Sequence, residues 1–135
     1  MEDNKYQFSL EIAVRDYELD SEGIVNNAIY QHYLEHARHQ FLCHVGYSFA
    51  KMESEGLTPV VSRVEINYKS SLRSGDVAVC KLWLERKGIR FVFHQDIFNK
   101  ESGALAVQAI VTSVVVKNDW PTRGEKLAEF FKDYL

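Results

Sequence analysis

The sequence predicts an α+β domain, an antiparallel sheet of about five strands wrapped on one long helix. Three observations carry this. Apolar and polar residues alternate at the start of the chain, over 6–14. A single long stretch, about 27–45, has its apolar residues at helical spacing. After Pro59 the pattern is β through four segments, ahead of a short amphipathic end. At 135 residues and 46% hydrophobic content, the chain suits one domain, residues 1–135, with its own core.

Taken in order, Tyr6, Phe8, Leu10, Ile12 and Val14 face one way and Gln7, Ser9, Glu11 and Ala13 the other, which is a strand with one buried face. Residues 15–23 are polar, end in Asp-Ser-Glu-Gly, and read as a loop. Asn26 or Asn27 can cap the next helix, because a side-chain amide oxygen accepts an N–H that the first turn leaves unpaired. The helix stripe is Ile29 or Tyr30, Tyr33, Leu34, Ala37, Phe41 and Val45, with Gly46 as its stop. A short helical turn is expected over 48–55, closed by Gly56.

In the strand that follows, Val60, Val64, Ile66 and Tyr68 are expected on one face and Arg63, Glu65, Asn67 and Lys69 on the other. A polar break over 69–76 leads to strands over 77–85 and 89–98, joined by Arg86-Lys87-Gly88. The longest strand, 105–116, is apolar on both faces in places, as a central or interface strand would be. Thr122-Arg123-Gly124-Glu125 fits a capping box before a short helix carrying Leu127, Phe130, Phe131 and Tyr134. The sheet's edges need protection, and a second copy is a common way to supply it, so dimerisation is expected.

Net charge is -3, with acids and bases interspersed, which argues against a nucleic-acid binder. A local basic patch for a phosphorylated ligand remains compatible with it. Cys43 and Cys80 have no C-x-x-C spacing, which removes zinc knuckles and redox motifs. Both are expected to be buried free thiols of a reducing compartment. The start, Met1-Glu2-Asp3-Asn4-Lys5, is acidic and polar, unlike a signal peptide, and no apolar run is long enough to span a bilayer. A cytoplasmic protein without membrane insertion is expected.

Chemistry concentrates just before the long helix. Asp20 lies in the loop that leads into the helix N-terminus, where unpaired N–H groups and the dipole favour a developing oxyanion. A carboxylate there can attack an ester-like carbonyl or activate a water that does. Gly23 permits close backbone approach. Taken alone, Asp20 reads equally as a cap or a solvated acid, and Asp16 and Glu18 read as solvated loop acids. Four of the five histidines, His32, His36, His39 and His44, lie on the helix, and Glu35 is i,i+4 from His39. Without an H-E-x-x-H string they read as a polar or interface face, and no metal is expected. Phe91, Phe93, Phe98 and Trp83 read as core residues or as the wall of an acyl tunnel.

The run Asp20-x-x-Gly23-Ile24-Val25-Asn26-Asn27-x-x-Tyr30-x-x-Tyr33-x-Glu35-x-Ala37-Arg38 resembles the signature of the hot-dog-fold thioesterases, the 4-hydroxybenzoyl-CoA thioesterase-like family. The string from Val14 to Asp20 also resembles its acyl-ACP and acyl-lipid thioesterases. The resemblance implies a helix wrapped by a curved antiparallel sheet, and dimers joined edge to edge or assembled into tetramers, with sites at the dimer interface. It puts the catalytic carboxylate on Asp20 and the oxyanion contact on backbone N–H groups of Val25, Asn26, Asn27 and Ala28, with Gly23 and Tyr30 supporting the loop. Ile24, Asn26 and Asn27 stand where several relatives carry histidine or tyrosine.

The implied activity is hydrolysis of an acyl-CoA or acyl-ACP thioester without a cofactor, Asp20 acting as nucleophile or general base. Arg63, Lys69 and Arg73 are the candidates for holding the phosphorylated carrier. Two other readings of the fold are an acyl-thioester dehydratase or hydratase, which needs a histidine and an acid across the substrate's α,β carbons, and a non-catalytic acyl-binding dimer.

Overall fold

The protein is described by a computed structural model over residues 5–135. Residues 1–4, on which most of the signal-peptide reading rests, lie outside the described residues. In chain order the elements are β1 (Phe8–Ala13), a 3-10 turn (Asp16–Glu18), α1 (Asn27–His44), α2 (Phe49–Ser54), β2 (Thr58–Tyr68), β3 (Val77–Lys87), β4 (Arg90–Asn99), β5 (Leu105–Lys117), β6 (Trp120–Pro121) and α3 (Glu125–Phe130). The strands form one antiparallel sheet in the order β1-β3-β4-β5-β2, with β6 paired to the end of β5.

Period-two patterning explains the sheet. In β3, Ala78, Cys80, Leu82 and Leu84 are buried while their neighbours are half-buried. The inner face packs on α1 through Tyr30, Tyr33, Leu34, Ala37, Phe41 and Leu42. Phe41 stacks on Phe131 at 5.5 Å between ring centroids, so the C-terminal segment closes the core. Among the described residues no helix is long and apolar enough to cross a membrane.

Three expectations change. A bulge between Val61 and Arg63 shifts the register of β2, so Val61 pairs with Ser113 and Val64 with Val111, both on the inner face. Val60 pairs with Val114 on the other face, and strict alternation from Val60 to Val64 fails. The capping box at Thr122 does not form. Asn118 and Asp119 take positive φ of 52° and 67° to turn Trp120 back onto β5, and Thr122 closes that hairpin by donating to the Val115 carbonyl at 2.8 Å. Gly124, at φ 69°, is the N-cap instead. Cys80 is buried and its thiol is pushed up to about 12 by burial, whereas Cys43 is exposed on the outer side of α1.

Candidate functional site

The loop between β1 and α1 is held by hydrogen bonds centred on Glu18, Asp20 and Asn26. The 3-10 turn folds Glu18 inward to 6% exposure. Its Oε1 accepts from the Arg15 N–H at 2.8 Å and from the Tyr33 hydroxyl at 2.6 Å. Burial pushes the Glu18 carboxyl upward, but the Arg15 N–H, the Tyr33 hydroxyl and the Arg15 guanidinium outweigh it and hold it below its ordinary value. Burial, together with the hydrogen bond its hydroxyl donates to that carboxylate, pushes Tyr33 well above the usual phenol range. The Glu18 carbonyl accepts from the Asn26 N–H at 3.0 Å. Glu18 is therefore an internal strut, not the solvated acid its loop position suggests.

Asp20 sits at the start of a small hairpin closed by the Leu19–Val25 bridge, which brings the two limbs within about 5 Å. Its backbone N–H donates to the Ile24 carbonyl at 2.8 Å and its carbonyl accepts from Gly23 at 3.0 Å. Side-chain Oδ1 accepts from the Glu22 N–H at 2.8 Å and the Ile24 N–H at 3.4 Å. Oδ2 has no partner among the described residues. Gly23, at φ 79°, makes the turn, a conformation that strains any side-chain-bearing residue.

The helix start is equally accounted for. The Val25 N–H donates to the Leu72 carbonyl at 2.9 Å, the Asn26 N–H to Glu18, and the Ala28 N–H to the capping Asn26 Oδ1 at 3.0 Å. Of the four N–H groups expected to receive an oxyanion, only that of Asn27 lacks an acceptor among the described residues. Tyr30 braces this region: its buried hydroxyl accepts from the Leu72 N–H at 3.0 Å. A cavity of about 130 Å³ opens beside Asn27, lined also by Tyr68, Lys69, Ser70 and Ser71.

From the first turn of α1 a larger groove, about 440 Å³, runs between the helix and β2. Ala28, Gln31, His32, Leu34, Glu35 and Arg38 line one wall and Val61, Val64 and Val111 the other. A smaller hollow of about 80 Å³ adjoins it through shared Glu35, Arg38 and Val61 and ends at Leu42, Phe93 and Leu127. The bulge in β2 is what turns both valines inward. Of the four candidate tunnel aromatics, only Phe93 lines this space. Phe91 packs on Phe131, while Trp83 stacks on His94 and Phe98 meets Tyr6 elsewhere on the sheet.

On α1, His32 faces the groove and His39 the hollow that adjoins it. His39 is half-buried against the Phe49 ring at 4.1 Å between centroids. Burial holds His39 below its ordinary value, against the pull of Glu35. Among the described residues no three His, Cys, Asp or Glu side chains gather as metal ligands would. Of the three cations, Lys69 is beside Asn27, and Arg73 bridges to Ile24 in the Asp20 hairpin. Arg63 is exposed and ion-paired to Glu65 at 3.2 Å, on the face away from the groove.

One pair went unassigned in the sequence. Gln95, 1% exposed, donates to the Leu34 carbonyl at 3.0 Å, and its Oε1 accepts from Arg38 at 3.0 Å. Burial holds the Arg38 guanidinium below its ordinary value, with Glu35 opposing. The available signal was a polar Gln95 in step with inward-facing Phe91, Phe93 and Ile97.

A long helix wrapped by a curved antiparallel sheet is the hot-dog class of domain. Residues 14–133 match the family model described as the thioesterase-like superfamily, and the chain belongs to that family. It is 34% identical over 116 residues to the acyl-acyl carrier protein thioesterase ATL2 of Arabidopsis thaliana, covering 84% of this chain but only 62% of that protein's length. A protein of Bacillus subtilis named as a candidate acyl-CoA thioesterase, YneP, is 32% identical over 86% of this chain and 94% of its own length. Among solved structures, a DHNA-CoA thioesterase from Staphylococcus aureus superposes with a TM-score of 0.84 at 28% identity, over 93% of this chain and 88% of that one.

Proposed function

We propose that the domain hydrolyses an acyl thioester carried on CoA or acyl carrier protein. The observation that carries the reading is a pairing of vacancies. Asp20 Oδ2 and the Asn27 N–H, the one of the four candidate oxyanion donors not already spent, both lack a partner among the described residues. They lie on either side of the Leu19–Val25 bridge, next to Ala28, where the groove along α1 begins. Family membership supports the same chemistry.

The thioester carbonyl sits on the Asn27 N–H, where the helix dipole stabilises the charge that develops on oxygen. Asp20 either takes a proton from the water that attacks the carbonyl carbon or attacks it directly and is released by water as a mixed anhydride. In both routes the carbon–sulfur bond breaks, the thiolate takes up a proton, and the acid leaves. Neither route uses a metal or organic cofactor. The acyl chain lies along Leu34, Val61, Val64 and Val111. Lys69 and Arg73 flank the loop and meet the phosphorylated carrier; Arg63 is committed to Glu65 on the other face. Free cysteines suit a reducing compartment, and we assign the reaction to the cytoplasm.

Two substitutions separate catalysis from loop structure. Asp20→Asn keeps an Oδ1 acceptor for the Glu22 and Ile24 N–H groups but removes the charge. Thiol release from a series of acyl-CoA and acyl-ACP substrates, followed with DTNB, falls by about 10²-fold or more while the melting temperature stays near wild type. Asp20→Ala loses the rate and also destabilises the hairpin. An Asp20→Asn enzyme that turns over at the wild-type rate makes Asp20 a loop tie and nothing else. Hydration of an enoyl thioester in place of thiol release would return the fold to its dehydratase alternative.

A further inference from the structure

Four polar residues, Gln31, His32, Glu35 and Arg38, line the groove beside its apolar ones, and Arg38 is the one Lys or Arg among them. Among the described residues its one hydrogen-bond partner is Gln95 Oε1, at 3.0 Å, and no carboxylate lies within salt-bridge range of it. Gln95 cannot rotate away, because its amide nitrogen is spent on the Leu34 carbonyl. The amide oxygen is thereby fixed toward the guanidinium, and the guanidinium is fixed in the wall shared by the groove and its adjoining hollow. A guanidinium carries five N–H donors. No buried side-chain polar atom among the described residues lacks a partner, so any guanidinium nitrogen without one reaches solvent, and Arg38 lines both the groove and the adjoining hollow.

An anchored arginine with donors to spare, on a groove whose other wall is Val61, Val64 and Val111, matches an oxygen acceptor on the ligand. We infer that Arg38, positioned by Gln95, binds an acceptor oxygen on the distal part of the acyl group and sets a preference for oxygen-bearing acyl chains. This rests on the thioesterase reading above, which fixes the other end of the substrate. Arg38 lies eleven residues along α1 from Asn27, about 16 Å of helix, shortened by the lean of a helical side chain toward the N-terminus. At about 1.2 Å of advance per bond in an extended chain, the oxygen sits on the order of ten bonds from the thioester carbonyl. A carboxylate is the best match to the planar fork, and a ketone is the neutral version of the same contact.

The test compares three CoA thioesters of equal length, decanoyl, 9-oxodecanoyl and decanedioyl, in the wild type and in Arg38→Met, which keeps length and apolar bulk. In the wild type kcat/KM for at least one oxygen-ended substrate exceeds that for decanoyl by about tenfold or more, and in Arg38→Met the ratio of oxygen-ended to decanoyl kcat/KM collapses to about one. A merely structural arginine would lower all three rates together and leave the ratios alone. Calorimetric binding of decanedioate against decanoate reads the same preference without turnover. Discrimination in binding with no thiol release from any substrate keeps the Arg38 receptor and removes the thioesterase reading. Thiol release with equal rates for all three substrates in the wild type overturns the receptor and leaves hydrolysis standing, whether or not Arg38→Met folds. Dissociation of an oligomer by Arg38→Met with the substrate ratio unchanged assigns the arginine to a subunit interface and likewise overturns it.

Discussion

Glu18 and Asp20 are two residues apart and of the same charge, yet the fold gives them opposite tasks. Glu18 is buried and spends its carboxylate on Arg15 and Tyr33, while Asp20 keeps one oxygen free. The Glu18 arrangement has a pH signature. Its carboxyl is held below its unfolded value, so the stabilisation is fully present above about pH 4.5 and is lost as pH falls through the lower, folded value. Glu18→Gln removes the charge but leaves an acceptor for the Tyr33 hydroxyl. Its expected cost at pH 7 is about 1–3 kcal/mol, the range for a buried hydrogen bond to a charged group. Urea unfolding of wild type and variant from pH 7 to pH 3 checks this. The two stabilities should converge as pH falls, and a constant gap would mean that Glu18 acts through packing alone.

At the scale of elements, the docking of α3 is set by a single glycine. A Cβ built on Gly124 would lie 2.5 Å from Phe91 Cε2, and φ is 69° there, so Gly124→Ala meets both a clash and backbone strain. The expected loss is about 2–4 kcal/mol, from overpacking plus a left-handed alanine. Thermal unfolding reads the loss, and Gly75→Ala is the control, since it shares the positive φ but has nothing within 4 Å of its Cβ. Equal losses would assign the whole effect to the backbone. The sequence carried most of these elements because their information is local. Period two marks the strands, the helical stripe marks α1, and Asn26, Gly46, Ser48 and Gly56 punctuate the helices. The bulge in β2 was not legible, because Val60, Val61 and Val64 fit either face until β5 fixes the register. Asp20 and Gly23 stood out by motif. The narrowing to the Asn27 N–H, the burial of Glu18 and the Gln95–Arg38 pair depend on partners distant in sequence, Leu72, Tyr33 and Leu34 among them, and no local pattern encodes those.

At the scale of the whole molecule the sheet ends unequally. β1 is a short edge of six residues, but β2 presents eleven residues with one side of its backbone unpaired. Val60, Val61, Val64 and Tyr68 along it are 40–47% exposed, a long apolar edge of the kind that soluble proteins cover. Antiparallel pairing of β2 with β2 of a second copy satisfies those backbone groups under two-fold symmetry and continues the sheet across the pair. The groove between α1 and β2 then opens at the interface, with Val61 and Val64 in both the acyl wall and the joint. Light scattering on the wild type at micromolar concentration should give twice the chain mass or a multiple of it. In Val60→Lys/Val64→Lys, charges on both faces of the edge oppose their symmetry mates, and the mass should fall to that of one chain with thiol release reduced alongside it. A wild type that is monomeric at these concentrations removes the edge pairing and makes the groove a site complete within one chain.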